Sequence, residues 1–389
     1  MTIDLVPARV RQRIPVPVLV LAATIFPLLC VLFWRPTSQM SDLRVYYAAA
    51  RGLIDGQDIY TVHHQYAGMG LGFTYPPFAA IVLTPLALGQ EFGRLLMTLL
   101  SGTALLVVGW STAKTLRWGT ATGLGIAFAG LLFEPVRTTF GLGQLNLILL
   151  ALLMLDLLGH VPPKYRGILV GVATGIKLTP GIFIMFLLIT RQFRAAAIAA
   201  GTTLVTIVIG WLVTPGPATD FWTRYIFDPG RPGPAQYVGN QSLRGVIARI
   251  TGDSAAIVPL WLLGATVIGA AGLLAARRLH ARGAVFEAVV VTAVTGLVVS
   301  PISWTNHWVW ALPAAALLWA RRRTVIGAIW TVVFIVGLPW LMPFAHDQEY
   351  DWNLVQSVAG DAYLLSALIL IYGLSRNCQP YDGRRGFYL

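Results

Sequence analysis

Long apolar runs alternate with short polar breaks along most of the chain. The runs fall near 15–34, 94–113, 118–133, 143–160, 166–178, 179–190, 194–214, 256–276, 284–300, 306–320, 324–343 and 361–376. Their residues are apolar on all sides, with no two-residue alternation, so they read as helices in an apolar solvent and not as strands. A helix lying along the membrane normal needs about 20 such residues to cross a bilayer, and inside lipid a helix satisfies its own backbone hydrogen bonds. The pattern predicts an all-α integral membrane protein with about twelve transmembrane helices, a single polytopic domain over residues 1–389. The pair 166–178 and 179–190 suits either one helix broken at Pro180 or a short hairpin. The first run is longer than a signal-peptide core and no small-residue cleavage site follows it, so it is read as a retained span.

Composition narrows the class further. Apolar residues make up 56% of the 389, charged residues 11%, and the mean hydropathy is +0.70. A soluble chain of this length needs about a quarter of its residues charged to cover its surface. The net charge of +12 does not indicate nucleic acid, because the basic residues sit in short clusters between apolar runs. With the N-terminus in the cytoplasm, the inner breaks collect 18 of the 28 basic residues, among them Arg9, Arg11, Arg13, Arg321, Arg322, Arg323, Arg384 and Arg385, but four of the 16 acids. That is the positive-inside bias. It predicts a plasma-membrane protein with both termini cytoplasmic and with long, polar outer loops at about 35–75 and 215–255. Candidate chemistry is therefore sought on the outer face.

The first outer loop places Asp42 a few residues beyond the first span. A carboxylate there suits either the cap of a helix beginning LRVYYAAARGL or a base whose proton affinity rises near lipid. Tyr46 and Tyr75 suit an aromatic belt or the stacking of a sugar. Further on, FEPVRTTFGLGQLNLILL carries Glu134 and Arg137, three residues apart and able to pair, followed by Gln144 and Asn146 at the mouth of an apolar helix. The two amides are costly there unless bonded to backbone or to a ligand's hydroxyls. Lys177 lies inside an apolar run beside Pro180, where a lysine either snorkels to the surface or meets an anionic headgroup. Arg244 follows a helix start at Asn240, Gln241 and Ser242. His307 stands among Trp304, Trp308 and Trp310, a structural interface residue or a group that handles protons or phosphate. His63 and His64 lack the spacing of a zinc site, and no metal or cofactor motif occurs.

Six strings in this order, SDLRVYYAAARGL with DIY, FTYPPFAAIVLTPLA, GQLNLILL, GIKLTP, NQSLRG and SPISWTNHWVWALP, resemble the actinobacterial polyprenol-phosphate-mannose-dependent α-mannosyltransferases of glycosyltransferase family 87. The resemblance runs from about residue 40 to 315. It implies a GT-C-type membrane fold with a periplasm-facing active site, polyprenyl-phosphate-mannose as donor, and no further cofactor. It implies a mannolipid acceptor, a phosphatidylinositol mannoside or the related lipomannan and lipoarabinomannan, and an α-1,2 product formed with inversion. Carried onto this chain, the family's first-loop aspartate is Asp42, the general base. By the same resemblance, Lys177, Arg244 and Arg137 neutralise the donor phosphate, and His307 is a second catalytic contact. Tyr46, Tyr75, Glu134, Gln144, Asn146 and Asn240 are then the candidates for binding sugar or acceptor. The competing class is a secondary transporter or flippase, which the span count and the broken helix also suit. A transporter, however, needs polar groups near the midplane, and here they collect at one face.

Overall fold

The structure is a computed structural model, and it describes residues 16–37, 39–66, 69–252, 254–344 and 346–376. The basic residues at 9, 11, 13, 384 and 385 that contribute to the charge bias lie outside the described residues. Helix α1 spans Val16–Thr37 and the amphipathic α2 spans Ser41–Ile54. A small antiparallel hairpin follows, β1 at His63–Tyr66 and β2 at Met69–Gly72, and then the short α3 at Pro77–Val82. The bundle continues with α4 (Gln90–Thr115), α5 (Thr120–Gly130), α6 (Glu134–Leu142), α7 (Asn146–Leu157), α8 (Ile168–Ile176), α9 (Ile182–Ile189) and α10 (Phe193–Val213). Two short helices, α11 (Pro215–Thr223) and α12 (Leu243–Thr251), interrupt the second long loop. The last part holds α13 (Ile257–Ala281), α14 (Val285–Val299), α15 (Ala311–Ala320), α16 (Thr324–Val336), α17 (Leu354–Gly360) and α18 (Ala362–Arg376).

Among the described residues the regular structure is thus helical apart from one hairpin, and each apolar run of the sequence holds a helix. Among the described residues, α4, α10 and α13 are long and apolar enough to cross a membrane. The pair α17 and α18, bent by 69° at Asp361, makes up to four. Six further apolar helices are shorter than a full crossing. The exposed faces of the long and the short apolar helices alike are lined with leucine, valine and phenylalanine, as at Leu32 and Phe33 of α1, Leu212 of α10 and Leu263 of α13, which is the surface lipid requires. These features make it an integral membrane protein.

Helix contacts are made through small residues, as expected where burial of apolar area in lipid gives no drive to associate. Gly109 of α4 lies against Gly123 of α5, Gly171 and Gly175 of α8 against Thr202 and Thr206 of α10, and Gly272 of α13 against Thr295 of α14. A Cβ at Gly175 would collide with the Thr206 side chain. Gly175→Val is therefore expected to destabilise the protein by at least about 1–3 kcal/mol, the usual cost of overpacking. A lowered thermal midpoint of the purified protein checks it, and an unchanged midpoint would refute this account of the α8–α10 contact.

Between α8 and α9 the helical ladder stops. Lys177 has extended backbone (φ −147°, ψ 131°), and a 3₁₀ turn at Thr179–Gly181 with Pro180 inside it restarts the helix. Proline lacks the N–H and cannot continue the helix, and the chain doubles back here. Gly167 at the start of α8 lies against Ala195 and Gly175 near its end against Thr206, while α9 ends four residues before α10 begins, so 166–190 forms a short helical hairpin and not one broken helix. A second break precedes α15, where Thr305–Trp310 winds as a 3₁₀ helix. The two breaks bring Lys177 and His307 face to face.

Candidate active site

Asp42 sits in the first turn of α2, half-buried. It is not the helix cap: that position is Met40, in left-handed backbone, and no side chain caps the helix. The Met40 N–H bonds the Gly141 carbonyl at the end of α6, and Gly143 in left-handed backbone (φ 69°) packs on Leu43. These contacts carry the start of α2 to the start of α7. There the Gln144 amide Nε2 donates to Asp42 Oδ2 in a very short contact, and Ser41 Oγ donates to Oδ1 at 3.2 Å. Burial raises the Asp42 carboxyl above its usual range, while the Gln144 and Ser41 hydrogen bonds and the charge of Lys177 act against that rise.

Gln144 is held from its other end. Its Oε1 accepts from the Tyr46 hydroxyl at 2.7 Å and from the Tyr75 hydroxyl at 3.0 Å, and the two phenolic oxygens lie 3.0 Å apart. Burial raises both phenols, so they remain protonated donors. Neither tyrosine acts as a membrane belt. Tyr75 is fixed in turn by Tyr60, whose hydroxyl donates to the Tyr75 carbonyl at 2.8 Å.

Lys177 forms the opposite wall. Its Nζ donates to Asn146 Oδ1 at 3.0 Å and lies 2.9 Å from His307 Nε2. An ammonium has donors only, so His307 Nε2 accepts and the neutral ring carries its proton on Nδ1. Asn146 Nδ2 donates at 2.9 Å to the backbone carbonyl of Asn306, which also accepts from Thr139 at 3.1 Å. Lys177 Nζ also stands 5.2 Å from the centre of the Tyr75 ring, within cation–π range. Lys177 is buried, not snorkelled, and among the described residues no carboxylate lies within ion-pair distance of it. Asp42 acts on it through space, without a salt bridge.

Seven of the residues singled out in the sequence, Asp42, Tyr46, Tyr75, Gln144, Asn146, Lys177 and His307, thus form one continuous cluster. The other four lie elsewhere. Glu134 is not paired with Arg137. It is buried and accepts from Thr138, Thr305, Trp340 and Tyr363, tying α6 to α18 and to the segment before α15. Arg137 donates instead to the carbonyls of Leu132 and Ile335. It borders an apolar groove of about 650 Å³ lined by α1 and α5, including Phe26, Leu29, Trp34 and Phe128. Asn240 donates to the Ala235 carbonyl at 2.9 Å and accepts from the Ser242 and Ser303 N–H groups at 3.3 and 3.0 Å. Its side chain ties the loop before α12 to the segment before α15, where its backbone also pairs with Trp304. Arg244 donates to the Pro229 carbonyl at 2.7 Å, and no hydrogen bond among the described residues joins it to the cluster. Sequence reasoning passed over Ser41 and Asn306. Both are direct neighbours of residues it had singled out, and Asn306 acts through its backbone carbonyl, which leaves no trace in side-chain chemistry.

The cluster thus sets a carboxylate and a buried lysine near each other without an ion pair, at positions where the helices end or break. The sequence model of glycosyltransferase family 87 matches residues 73–301. A polyprenol-phosphate-mannose-dependent alpha-(1-2)-phosphatidylinositol mannoside mannosyltransferase of Mycobacterium tuberculosis is 32% identical over 367 residues, covering 87% of this chain and 86% of its own. A second M. tuberculosis protein, a polyprenol-phosphate-mannose-dependent alpha-(1-2)-phosphatidylinositol pentamannoside mannosyltransferase, is 37% identical over 353 residues, covering 84% of this chain and 79% of its own. Among solved structures, ArnT from Cupriavidus metallidurans bound to undecaprenyl phosphate aligns over 92% of this chain and 77% of its own, at 17% identity and a TM-score of 0.43. The chain belongs to glycosyltransferase family 87.

Proposed function

We propose that the protein transfers mannose from polyprenyl-phosphate-mannose to a phosphatidylinositol mannoside on the periplasmic face, forming an α-1,2 linkage with inversion. The observation that carries this reading is the placing of Asp42 and Lys177 in one cluster, acting on each other through space but without a salt bridge. The names of the relatives support the donor and the acceptor class. The cluster collects at one end of the bundle: Asp42 follows the end of α1, Gln144 and Asn146 open α7, Lys177 ends α8, and His307 precedes α15. In a ladder of about twelve segments with its basic breaks inside, that end faces the periplasm.

The chemistry needs one base and one displacement. Asp42 takes the proton from the acceptor hydroxyl as that oxygen attacks the anomeric carbon from the face opposite the phosphate. The bond from that carbon to the phosphate oxygen breaks, and polyprenyl phosphate leaves with one more negative charge. A β-linked donor thereby becomes an α-mannoside. The Lys177 ammonium, already oriented by Asn146 and His307, has its third N–H for the departing phosphate, where charge grows in the transition state. Phosphate is a good leaving group, so the second carboxylic acid of a glycosidase is not called for. Arg137, at the border of the apolar groove, suits the head of an isoprenoid chain better than Arg244 does.

Purified protein in liposomes, given labelled polyprenyl-phosphate-mannose and a phosphatidylinositol mannoside, is expected to label the mannolipid. Digestion by an α-1,2-mannosidase should then remove the label. No transfer from this donor, or equal transfer from GDP-mannose, would overturn the reading.

A further inference from the structure

The side chains beneath the Asp42 carboxylate make a closed chain of donors and acceptors whose order has a chemical consequence. A glutamine amide has one acceptor end and one donor end. At Gln144 the acceptor end is taken by two phenolic O–H groups, so the donor end must face Asp42. Gln144 and Tyr46 are both buried, 4% and 2% exposed, whereas Asp42 is partly exposed. Buried beneath the carboxylate, Gln144 has its acceptor end filled by the two phenols and one amide N–H on Asp42, so its hydrogen bonding is spent mainly within the protein. We propose, resting on the assignment of Asp42 as base, that Gln144 is a positioning residue and not a sugar-binding one. Tyr46 and Tyr75 lock its amide orientation, and it holds Asp42 Oδ2, leaving Oδ1, lightly held by Ser41, to take the acceptor proton.

The locked orientation does two things. It fixes the direction of the reactive lone pair, which sets how often a bound acceptor meets the base in line. It also supplies a hydrogen bond that favours the ionised carboxylate, offsetting the burial that would otherwise keep it protonated. The titratable groups acting on Asp42 are Tyr46 on its own helix, Tyr75 ahead of α3, and Lys177 at the end of α8, with His307 bonded to that lysine. Other ionisable groups on elements packed against α2 are His63 on β1, Glu91 and Arg94 on α4, and Glu134 and Arg137 on α6. Glu91 lies 3.6 Å from Arg94, and the α6 pair is engaged with other partners.

The test is the pH profile of mannosyl transfer for Gln144→Glu and Tyr46→Phe, measured in the same liposomes as wild type. A second carboxyl against Asp42 makes the pair hold a proton more tightly. Gln144→Glu is therefore expected to move the acid limb of kcat upward by about one pH unit or more, with KM for both lipids changed less than about threefold. Tyr46→Phe removes one of two locks and should lower kcat with a smaller shift of the same sign. If Gln144 instead touched sugar, Gln144→Glu would raise KM and leave the acid limb in place, and that result overturns the proposal. Wild-type profiles for both variants overturn it too. Should Gln144→Glu not fold, the Tyr46→Phe/Tyr75→Phe double variant decides in its place, since it removes only two hydroxyls. Asp42→Asn run alongside separates the two readings: activity in that variant rejects the base itself, whereas an inactive Asp42→Asn with unshifted Gln144 profiles rejects only the positioning role.

Discussion

Asp42→Asn should abolish mannosyl transfer while leaving the protein folded. The substitution keeps the shape of the side chain, and the Asn oxygen can still accept from Gln144 while its NH2 turns to Ser41 Oγ, a hydroxyl oxygen that can accept from it. What it removes is the capacity to take a proton from the acceptor hydroxyl. Positioned general bases contribute about 10²–10⁴-fold, and with no second carboxylate in the cluster the loss should lie at the upper end. The pH dependence of the wild type follows from the same residue. A base works ionised, and burial raises this carboxyl above its usual range, so activity should fall on acidification at a higher pH than for an exposed aspartate. The measurement is initial rate against pH for the wild type, and rate at the optimum for the variant, with expression and thermal midpoint as controls. Transfer by the Asn variant within about tenfold of wild type would exclude the base.

How much of this was legible in the chain differs between helices and site. The apolar runs located the helices well, because in lipid a run of this length has one way to satisfy its backbone. The run at 194–214 became Phe193–Val213, and that at 284–300 became Val285–Val299. What the runs could not convey was what lies between them. The loop 35–75 reads as polar sequence, yet it folds into an amphipathic helix and a hairpin whose positions depend on contacts made about 100 residues away, such as Met40 with Gly141. Likewise the run at 324–343 stops as α-helix at Val336, because Gly337 turns left-handed (φ 71°) just before Pro339.

The site residues were legible by their cost. A glutamine, an asparagine and a lysine at the ends of apolar helices are expensive without partners, and all three have them: Lys177 bonds Asn146 directly, and Gln144 bonds Asp42. The same argument failed to sort roles. Glu134 and Asn240 are both buried as well, and they hold the scaffold together. Cost announces that a polar group has a partner. Whether that partner is protein or substrate depends on geometry over long separations, as with Glu134 and Tyr363, 229 positions apart. The Glu134–Arg137 pair that the spacing permits does not form, for a related reason. Spacing of three permits an ion pair on a helix surface, but four competing donors had already surrounded the glutamate.

Lys177→Met should be nearly as damaging as loss of the base, and its cause can be isolated. Methionine keeps the length and flexibility of the side chain and removes the charge. Loss of one preorganised donor aimed at developing charge costs about 10²–10³ in kcat. Stability should change little, by about 1–2 kcal/mol either way, because two terms oppose. The variant no longer buries an ammonium held by neutral partners alone, but it leaves Asn146 Oδ1 and His307 Nε2 without their donor. A residue whose removal ruins turnover and spares the fold is held there for the reaction, not for the structure. Lys177→Arg should not restore activity, since a planar guanidinium cannot replace a compact ammonium between those two acceptors. Turnover, thermal midpoint and affinity for polyprenyl phosphate would be measured on the same preparations. The expected pattern is slow transfer, a near-native midpoint and weakened binding of the lipid phosphate. A Met variant that unfolds while retaining its rate per folded molecule would instead make Lys177 a structural strut, and the phosphate would have to be held by Arg137 at the border of the apolar groove.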